Sequence, residues 1–174
     1  MKKRIAVLGS AFNPPSLGHK DVIDQIKGQY DEVWLVPSFK HAFGKRMIPY
    51  ELRLQLVESF VSDLGYGNVH LKAVEHLIKT EKGAVFTWDL MNHLQKGTED
   101  ELAVVIGPDN EKNWSAFYMS DEIASNWHLE VVKERVDIRS TYIRNNMNAG
   151  LSIAHLVTPG VDCFLNKMHD QCLI

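Results

Sequence analysis

A loop rich in glycine and proline near the start of the chain carries residue types that suit a phosphate site. It reads Gly9-Ser10-Ala11-Phe12-Asn13-Pro14-Pro15-Ser16-Leu17-Gly18-His19 and separates a short apolar run from a segment with helical spacing. Gly9 permits close backbone approach to a ligand, and the two prolines stiffen the loop. Gly18 and His19 open the helical segment, whose unpaired N–H groups favour an anion, and the imidazole could donate a hydrogen bond to a phosphate. The loop lacks the spacing of a dinucleotide-binding glycine motif or of a P-loop.

A second polar group follows far along the chain, in Ile138-Arg139-Ser140-Thr141-Tyr142-Ile143-Arg144. Ser140 and Thr141 stand where a helical pattern begins, so we predict that they cap a helix whose N-terminus binds phosphate. Arg144 comes one turn later and would add charge-assisted hydrogen bonds.

Both segments resemble signatures of a known enzyme family. The loop resembles the motif of HIGH-type nucleotidyltransferases, which is written G-x-[FY]-[DN]-P-x-[HT]-x-G-H with one or more variable residues after the first glycine. Ser16 replaces the usual His or Thr. The second segment is similar to the I-S-S-T-x-I-R segment of nicotinamide and nicotinate mononucleotide adenylyltransferases, with Arg139 in place of the first serine. The resemblance implies a Rossmann-like α/β fold and the joining of ATP to a pyridine mononucleotide. The products would be the dinucleotide (NAD or NaAD) and pyrophosphate, in NAD biosynthesis.

The resemblance also implies roles for individual residues. His19 would stabilise the α-phosphate, and Ser16 would donate a neutral hydrogen bond. The β- and γ-phosphates would be held by Lys45, Arg139 and Arg144, with Lys40 as the alternative to Lys45. Mg²⁺ would accompany ATP as cofactor. The nucleotide would be bound by Gly9, Ser10, Ala11, Phe12, Asn13, Gly18, Gly107, Asp109, Arg139, Ser140 and Thr141.

Two further segments suggest where the substrates would lie. Phe86-Thr87-Trp88-Asp89 resembles the family's S-Y-T-x-D-T-L segment beside the pyridine ring, although Val85 and Leu90 depart from it. Gly107-Pro108-Asp109 resembles the G-x-D that meets adenosine, and Trp114 follows it. We therefore expect Thr87, Trp88, Asp89 and Trp114 to bind substrate. By residue type alone, the two tryptophans equally suit a core, and Asp89 equally suits a helix cap.

The periodicity along the chain predicts strands that alternate with helices. Such a chain forms a parallel sheet with helices on both faces and binds ligands beyond the carboxyl ends of its strands. We expect one nucleotidyltransferase domain over residues 1–174. Strands are predicted at Ile5 to Leu8, Glu32 to Pro37, Val69 to Ala73, Leu102 to Ile106 and Leu129 to Val132; helices are predicted from Gly18 to near Gly28, from Pro49 to Leu64, and over 87–95, 140–147 and 159–167.

Composition excludes several other classes of protein. The 174 residues are 45% hydrophobic and 24% charged, which is typical of a globular domain and excludes disorder, collagen and coiled coil. The 19 basic residues face 22 acidic ones, so the net charge of −3 does not favour nucleic acid as a partner. The apolar run after Lys2-Lys3-Arg4 is shorter than the ~7–15 residues of a secretory signal, and no run reaches the ~18 that would span a membrane.

Cysteine usage favours a reducing compartment. The only two cysteines, Cys163 and Cys172, do not make a disulfide framework, so we expect a cytoplasmic protein. Together with His169 they lack paired zinc-ligand spacing, and we expect no metal site built by the protein itself.

Several alternatives stay open at this point. Another HIGH-type enzyme, such as a phosphopantetheine nucleotidyltransferase, would share the first motif. A noncatalytic nucleotide sensor would fit the exchange at Ser16. The residues do not decide between nicotinate and nicotinamide mononucleotide, and a homo-oligomer is an open expectation.

Overall fold

Five parallel strands form the centre of the protein. The computed structural model describes residues 1–41 and 43–174. Its sheet has the order β3-β2-β1-β4-β5, and every neighbouring pair is parallel. The predicted α/β fold with a parallel sheet is therefore confirmed. The strands are β1 (Arg4–Ser10), β2 (Glu32–Pro37), β3 (Val69–Leu71), β4 (Glu101–Ile106) and β5 (His128–Val131).

Helices follow the strands and cover both faces of the sheet. They are α1 (Leu17–Ile26), α2 (Tyr50–Leu64), α3 (Thr87–Lys96), α4 (Pro108–Lys112), α5 (Ser120–Asn126), α6 (Ser140–Asn148) and α7 (Pro159–Asp170), with single 3₁₀ turns at Glu75–Leu77 and Trp114–Ala116. Over the described residues, no helix is long and apolar enough to cross a membrane.

Alternating side chains of the strands divide the core into two layers. In β1, Ala6 and Leu8 point to a layer shared with α1, α2, α6 and α7, while Ile5 and Val7 point to a layer shared with α3 and α5. Successive residues of a strand face opposite sides, so a strand covered on both sides must be apolar throughout. This is why an uninterrupted apolar run was the correct signal for a central strand.

Most predicted elements are confirmed, and the differences have local causes. Pro49 caps α2 rather than starting it, because its ψ of 142° is not helical. The third strand ends at Leu71, two residues earlier than predicted. Sequence reasoning missed α4, although proline is well tolerated at a first helical position, which Pro108 occupies. It also missed the seven-residue α5, which is too short to show clear periodicity.

The strand order places a switch point beside β1. The chain builds β2 and β3 on one side of β1 and then crosses to build β4 and β5 on the other side. Loops that leave β1 and β4 diverge there and open a crevice at the carboxyl edge of the sheet, where open α/β proteins bind their ligands.

Candidate active site

A cavity of about 390 Å³ occupies the crevice between the loops that follow β1 and β4. Its wall is formed by the start of α1, the residues after β4, the segment after β5 and the start of α6. Eight of the predicted site residues line it together, although they come from three distant parts of the chain: Ser16, Gly18, His19, Gly107, Asp109, Arg139, Ser140 and Thr141.

His19 lies in the first turn of α1, and its hydrogen bonds determine its tautomer. Its Nδ1 accepts the backbone N–H of Ser16 at 3.0 Å, and the Ser16 hydroxyl lies 3.1 Å from the same nitrogen. A backbone N–H can only donate, so Nδ1 carries no proton and the neutral ring carries its hydrogen on Nε2. Nε2 lies 3.0 Å from Ser10 Oγ at the end of β1.

The surroundings of His19 also oppose its protonation. The ring is partly exposed at the cavity, but the packed atoms around it desolvate the charged form and lower its pKa to about 4. A positively charged ring would in addition turn Nδ1 into a donor facing the Ser16 N–H. At neutral pH, His19 is therefore a neutral N–H donor at the cavity wall.

Ser16 orients His19. Its side chain is buried, caps α1 and accepts the His19 N–H at 3.4 Å. Since the His19 ring in turn accepts the Ser16 N–H, the two residues form a capping box with histidine in the place of the usual Glu or Gln. The serine that departs from the family motif thus has a role in the local structure. Its hydrogen bond to a ligand stays a prediction.

The residues between β1 and α1 shape the loop. Gly9 and Ser10 end β1, and the Ala11 carbonyl accepts a hydrogen bond from Arg53. The buried Phe12 ring packs against the His19 ring, with centroids 4.6 Å apart. The Asn13 side-chain oxygen accepts the backbone N–H of Ile48 at 2.9 Å. In this structure Phe12 and Asn13 bind other parts of the chain, and a direct contact with nucleotide stays a prediction for both.

The two motifs contact each other directly. A Cβ added at Gly18 would overlap the carbonyl oxygen of Ile138, so glycine is required for α1 to approach the second motif this closely. The Ser140 hydroxyl donates to the Pro14 carbonyl at 2.7 Å, which adds a second link between the motifs.

The prediction that Ser140 and Thr141 cap α6 is wrong. The N-cap residue is Arg139, and no side-chain hydrogen bond caps the helix. Ser140 is already helical and uses its hydroxyl on Pro14, while Thr141 Oγ1 accepts from Arg144 at 3.2 Å. The start of α6 lines the cavity and has no side-chain cap, which leaves its first amides available to an anionic ligand.

Arg139 forms a charged rim at the cavity with two carboxylates. Its Nη2 lies 3.0 Å from both carboxylate oxygens of Glu134, and its Nη1 lies 3.6 Å from Asp109 Oδ2. A guanidinium is charged with or without such partners, and the hydrogen bond to Glu134 raises the pKa of Arg139 further. A phosphate ligand would compete with both carboxylates for this cation.

Two predicted phosphate ligands line other cavities. Arg144 donates to the Asn13 carbonyl at 2.8 Å and lines a neighbouring cavity of about 480 Å³ beside Arg46. Lys45 lines a third cavity, of about 500 Å³, together with Lys40 and Lys82. The structure does not bring Lys45 into the cavity of His19, and the choice between Lys40 and Lys45 stays open.

The four predicted substrate residues lie around the start of α3 and beyond β4. Thr87 is the first residue of α3, and Asp89 accepts the N–H of Phe86 at 3.1 Å, as a helix cap does. Trp88 packs edge-on against Trp127, 5.7 Å away, in the second core layer. Trp114 differs, because its indole Nε1 is buried and has no hydrogen-bond partner in the part of the chain that the structure describes.

Sequence reasoning missed the side chains that hold the cavity wall. The Gln25 amide bonds both main-chain groups of Lys133, at 2.8 and 3.0 Å, and Asp21 pairs with Arg135 at 2.7 Å. These contacts fasten the segment after β5 to α1. Their partners are more than 100 residues apart in sequence, so no local pattern could have revealed them.

Comparison with known proteins agrees with this geometry. The model of the family described as cytidylyltransferase-like matches residues 7–146, and the chain belongs to that family. It is 25% identical to a protein of Staphylococcus saprophyticus named "Probable nicotinate-nucleotide adenylyltransferase", over 96% of this chain and 97% of that protein.

Two solved structures share the architecture. A crystal structure from Vibrio parahaemolyticus, provisionally described as a nicotinate-nucleotide adenylyltransferase, is 39% identical and superposes with a TM-score of 0.84 over 95% of this chain and all of that one. The nicotinic acid mononucleotide adenylyltransferase of Plasmodium falciparum, complexed with NaAD, is 14% identical and has a TM-score of 0.79 over 99% of this chain and 98% of that one. The latter similarity concerns the fold.

Proposed function

We propose that this protein is an adenylyltransferase that joins ATP to nicotinate mononucleotide, forming NaAD and releasing pyrophosphate in NAD biosynthesis. The observation that carries the proposal is the meeting of two helix starts, those of α1 and α6, at one cavity that holds the neutral N–H donor of His19. Relatives named nicotinate-nucleotide adenylyltransferase support the choice of reaction and of the acid as acceptor.

The chemistry requires alignment and charge stabilisation rather than a protein nucleophile. A phosphate oxygen of the mononucleotide attacks the α-phosphorus of ATP, a new P–O bond forms, and the bond to the β-phosphate oxygen breaks. The attacking group is already anionic, so no strong base is needed. The protein must bring two polyanions together and stabilise the charge that develops on the α-phosphate and on the departing pyrophosphate.

The residues that line the cavity can supply this stabilisation. His19 is neutral and can donate the hydrogen on its Nε2, which faces Ser10 Oγ in this structure. The uncapped amides at the start of α6 donate along the helix axis. Arg139 contributes positive charge once phosphate displaces Glu134 or Asp109. Arg144 lies one turn further along α6, and Lys45 or Lys40 would approach from the loop after β2.

Mg²⁺ fits this arrangement as a companion of the nucleotide. No cluster of three or more His, Cys, Asp or Glu side chains occurs among the residues described. Mg²⁺ in nucleotide enzymes is bound largely by substrate phosphates and water, so a site without a protein cage is compatible with it. It would neutralise charge on the leaving pyrophosphate. The roles of the side chains above do not depend on where it lies.

The pyridine end of the acceptor would lie near Trp114. Its buried indole N–H lacks a partner among the described residues, and a buried donor without an acceptor costs free energy. A ligand that brings an acceptor there would remove this cost, and the ring of Trp114 or Trp88 offers a stacking surface. Thr87 stands at the start of α3, while Asp89 serves that helix as a cap.

The experiment that tests the proposal measures pyrophosphate release from ATP and Mg²⁺. Nicotinate mononucleotide, nicotinamide mononucleotide and phosphopantetheine are supplied in parallel, and the His19→Ala variant is the matched control. We expect release with nicotinate mononucleotide at the highest kcat/KM, and a loss of about 10²–10³-fold in the variant.

Other outcomes of this experiment would change the proposed function. A higher kcat/KM with nicotinamide mononucleotide would change the acceptor but keep the reaction. Release with phosphopantetheine alone would move the protein to another branch of the superfamily. ATP binding without release in any mixture would refute the enzyme and favour a nucleotide sensor.

A further inference from the structure

A buried arginine outside the cavity of His19 ties together two loops of the candidate site. Arg53 in α2 is 1% exposed, and its guanidinium donates to backbone carbonyl oxygens. Nη1 binds the carbonyls of Ala11 at 2.8 Å and Ser38 at 2.6 Å, and Nε binds the carbonyl of Ile48 at 2.8 Å. A charged side chain buried this completely requires such partners, because desolvation without them is costly.

The carbonyl groups that Arg53 binds belong to two different loops of the candidate site. Ala11 belongs to the first motif loop, whereas Ser38 and Ile48 stand at the two ends of the loop that connects β2 to α2. The backbone N–H of Ile48 donates to Asn13 Oδ1 at 2.9 Å, which is a second bond between the same two loops. One guanidinium therefore closes the β2–α2 loop at both ends and fixes it to the loop that precedes His19.

A buried carboxylate completes the attachment. Glu75, in the 3₁₀ turn after β3, is 5% exposed and accepts the Phe39 N–H at 2.8 Å. Arg53 Nη2 approaches the carbonyl of the same residue at 3.4 Å. The main chain at Phe39 is thus held from its N–H side by Glu75 and from its C=O side by Arg53.

We infer that Arg53 and Glu75 are positioning residues, which hold the β2–α2 loop so that its lysines face the substrates. The inference rests on the proposed function, because it assumes that Lys40 or Lys45 of this loop approaches phosphate. Neither Arg53 nor Glu75 lines the cavity of His19. Arg53 lines the cavity of Lys40 and Lys45, where its guanidinium donates to backbone carbonyl oxygens, so the role inferred for it is to position the loop.

Arginine suits this task better than lysine. Its planar guanidinium donates in several fixed directions at once, whereas an ammonium is a single compact point of charge. Arg53→Lys keeps the charge and most of the apolar stem but cannot reach all the carbonyl oxygens together. It is therefore the variant that separates positioning from charge and packing.

Limited trypsin digestion measures how firmly the β2–α2 loop is attached, because a detached loop is cut faster. The assay does not require the protein to be enzymatically active. The loop contains the trypsin sites Lys40, Lys45 and Arg46. We expect Arg53→Lys to be cut there on the order of tenfold faster than the wild type, as loss of a charged hydrogen bond implies, with mass spectrometry locating the cuts. The matched control is Leu56→Ala, which opens a cavity in the same helix but leaves the attachment in place.

The control decides what a faster cut means. Cutting of Leu56→Ala at the wild-type rate, at equal or lower thermal stability than Arg53→Lys, supports a local attachment. Equal acceleration in both variants, or no acceleration in Arg53→Lys, would overturn the inference.

A second pair of variants covers the case in which Arg53→Lys does not fold. Glu75→Gln keeps an oxygen that accepts the Phe39 N–H, whereas Glu75→Met has a similar shape and no such acceptor. We expect fast cutting within the loop for Glu75→Met and slow, wild-type-like cutting for Glu75→Gln. Equal rates for the two variants would contradict the role of Glu75.

Kinetic measurements then test whether attachment of the loop affects the reaction. In Arg53→Lys we expect kcat/KM for ATP and nicotinate mononucleotide to fall by about tenfold or more, with little change in Leu56→Ala. An unchanged kcat/KM despite faster cutting would show that the loop does not serve the reaction. If the wild type transfers no adenylyl group, the proposed function fails, while the digestion still decides the attachment.

Discussion

Replacing His19 with Gln removes the titratable ring but leaves an N–H donor close to the position of Nε2. The structure predicts that His19 acts as this neutral donor, since Nδ1 accepts the Ser16 N–H and burial lowers the pKa to about 4. His19→Gln should therefore keep part of the activity that His19→Ala loses. We expect about tenfold less activity than the wild type for His19→Gln, against about 10²–10³-fold less for His19→Ala.

His19→Gln also tests the lowered pKa of His19, because this pKa makes the free energy of unfolding depend on pH. Histidine in the unfolded chain has a pKa of about 6.5 and so takes up a proton before the folded protein does as the pH falls. The stabilisation that the neutral His19 ring gives the folded state is present above about pH 6.5. It is lost as the pH falls towards 4, where His19 is protonated in the folded protein as well. Between pH 7 and pH 5, linkage predicts that the wild type loses about 2 kcal/mol that His19→Gln does not lose.

Urea unfolding at pH 5, 6 and 7 measures this difference. Subtracting the variant from the wild type at each pH cancels the titration of groups common to both proteins. Nitrogen-15 chemical shifts of the His19 ring report the tautomer directly and should show an unprotonated Nδ1 throughout this range.

Three results would refute the reasoning. A stability difference that stays constant from pH 7 to pH 5 would mean that His19 has an ordinary pKa. A proton on Nδ1 would contradict the orientation set by Ser16. Activity of His19→Ala within a few fold of the wild type would remove His19 from the reaction altogether.

Three further predictions follow from single contacts. Gly18→Ala places a Cβ against the Ile138 carbonyl, and we expect a loss of about 2 kcal/mol or more in urea unfolding; an unaltered midpoint would mean that the motifs can separate freely. Arg139→Met removes the cation now paired with Glu134, so KM for ATP should rise about tenfold in steady-state kinetics, whereas an unchanged KM would leave the ion pair as its only role. Burial raises the pKa of Glu75 to about 7, so its ionisation weakens the fold as the pH rises from about 4.5 to 7. Relative to the wild type, the free energy of unfolding of Glu75→Gln should therefore rise by about 2 kcal/mol between pH 5 and pH 8. A fall in this difference over the same range would contradict the raised pKa.

Local patterns were sufficient for the strands and the longer helices. The run from Leu102 to Ile106 is apolar throughout because β4 is covered on both faces, and that burial leaves a direct trace in the residue types. Helices α4 and α5 left a weaker trace, since five or seven residues complete fewer than two turns with a repeating apolar face. Element boundaries such as Pro49 depend on backbone angles that the residue type does not set by itself.

The motifs identified the chemistry, because phosphate binding needs particular residue types at particular spacings. His19, Gly18, Ser140 and Thr141 were recognised in this way, and the structure brings them to one cavity. That loops after parallel strands meet at one edge of the sheet could be expected, but which of their residues share a cavity depends on the strand order and the packing of the folded chain.

Tertiary structure decided how each of these side chains is used. Whether Ser140 caps α6 or binds Pro14, and whether Asn13 faces a ligand or Ile48, depends on which backbone groups arrive from elsewhere in the chain. The pKa of His19 likewise depends on packing that no local pattern encodes. The sequence by itself determined the alternation of elements and the kind of chemistry, because both follow from residue type and spacing. Only the folded chain decided hydrogen-bond partners, protonation and the grouping of residues into cavities, because these arise from contacts between segments far apart in sequence.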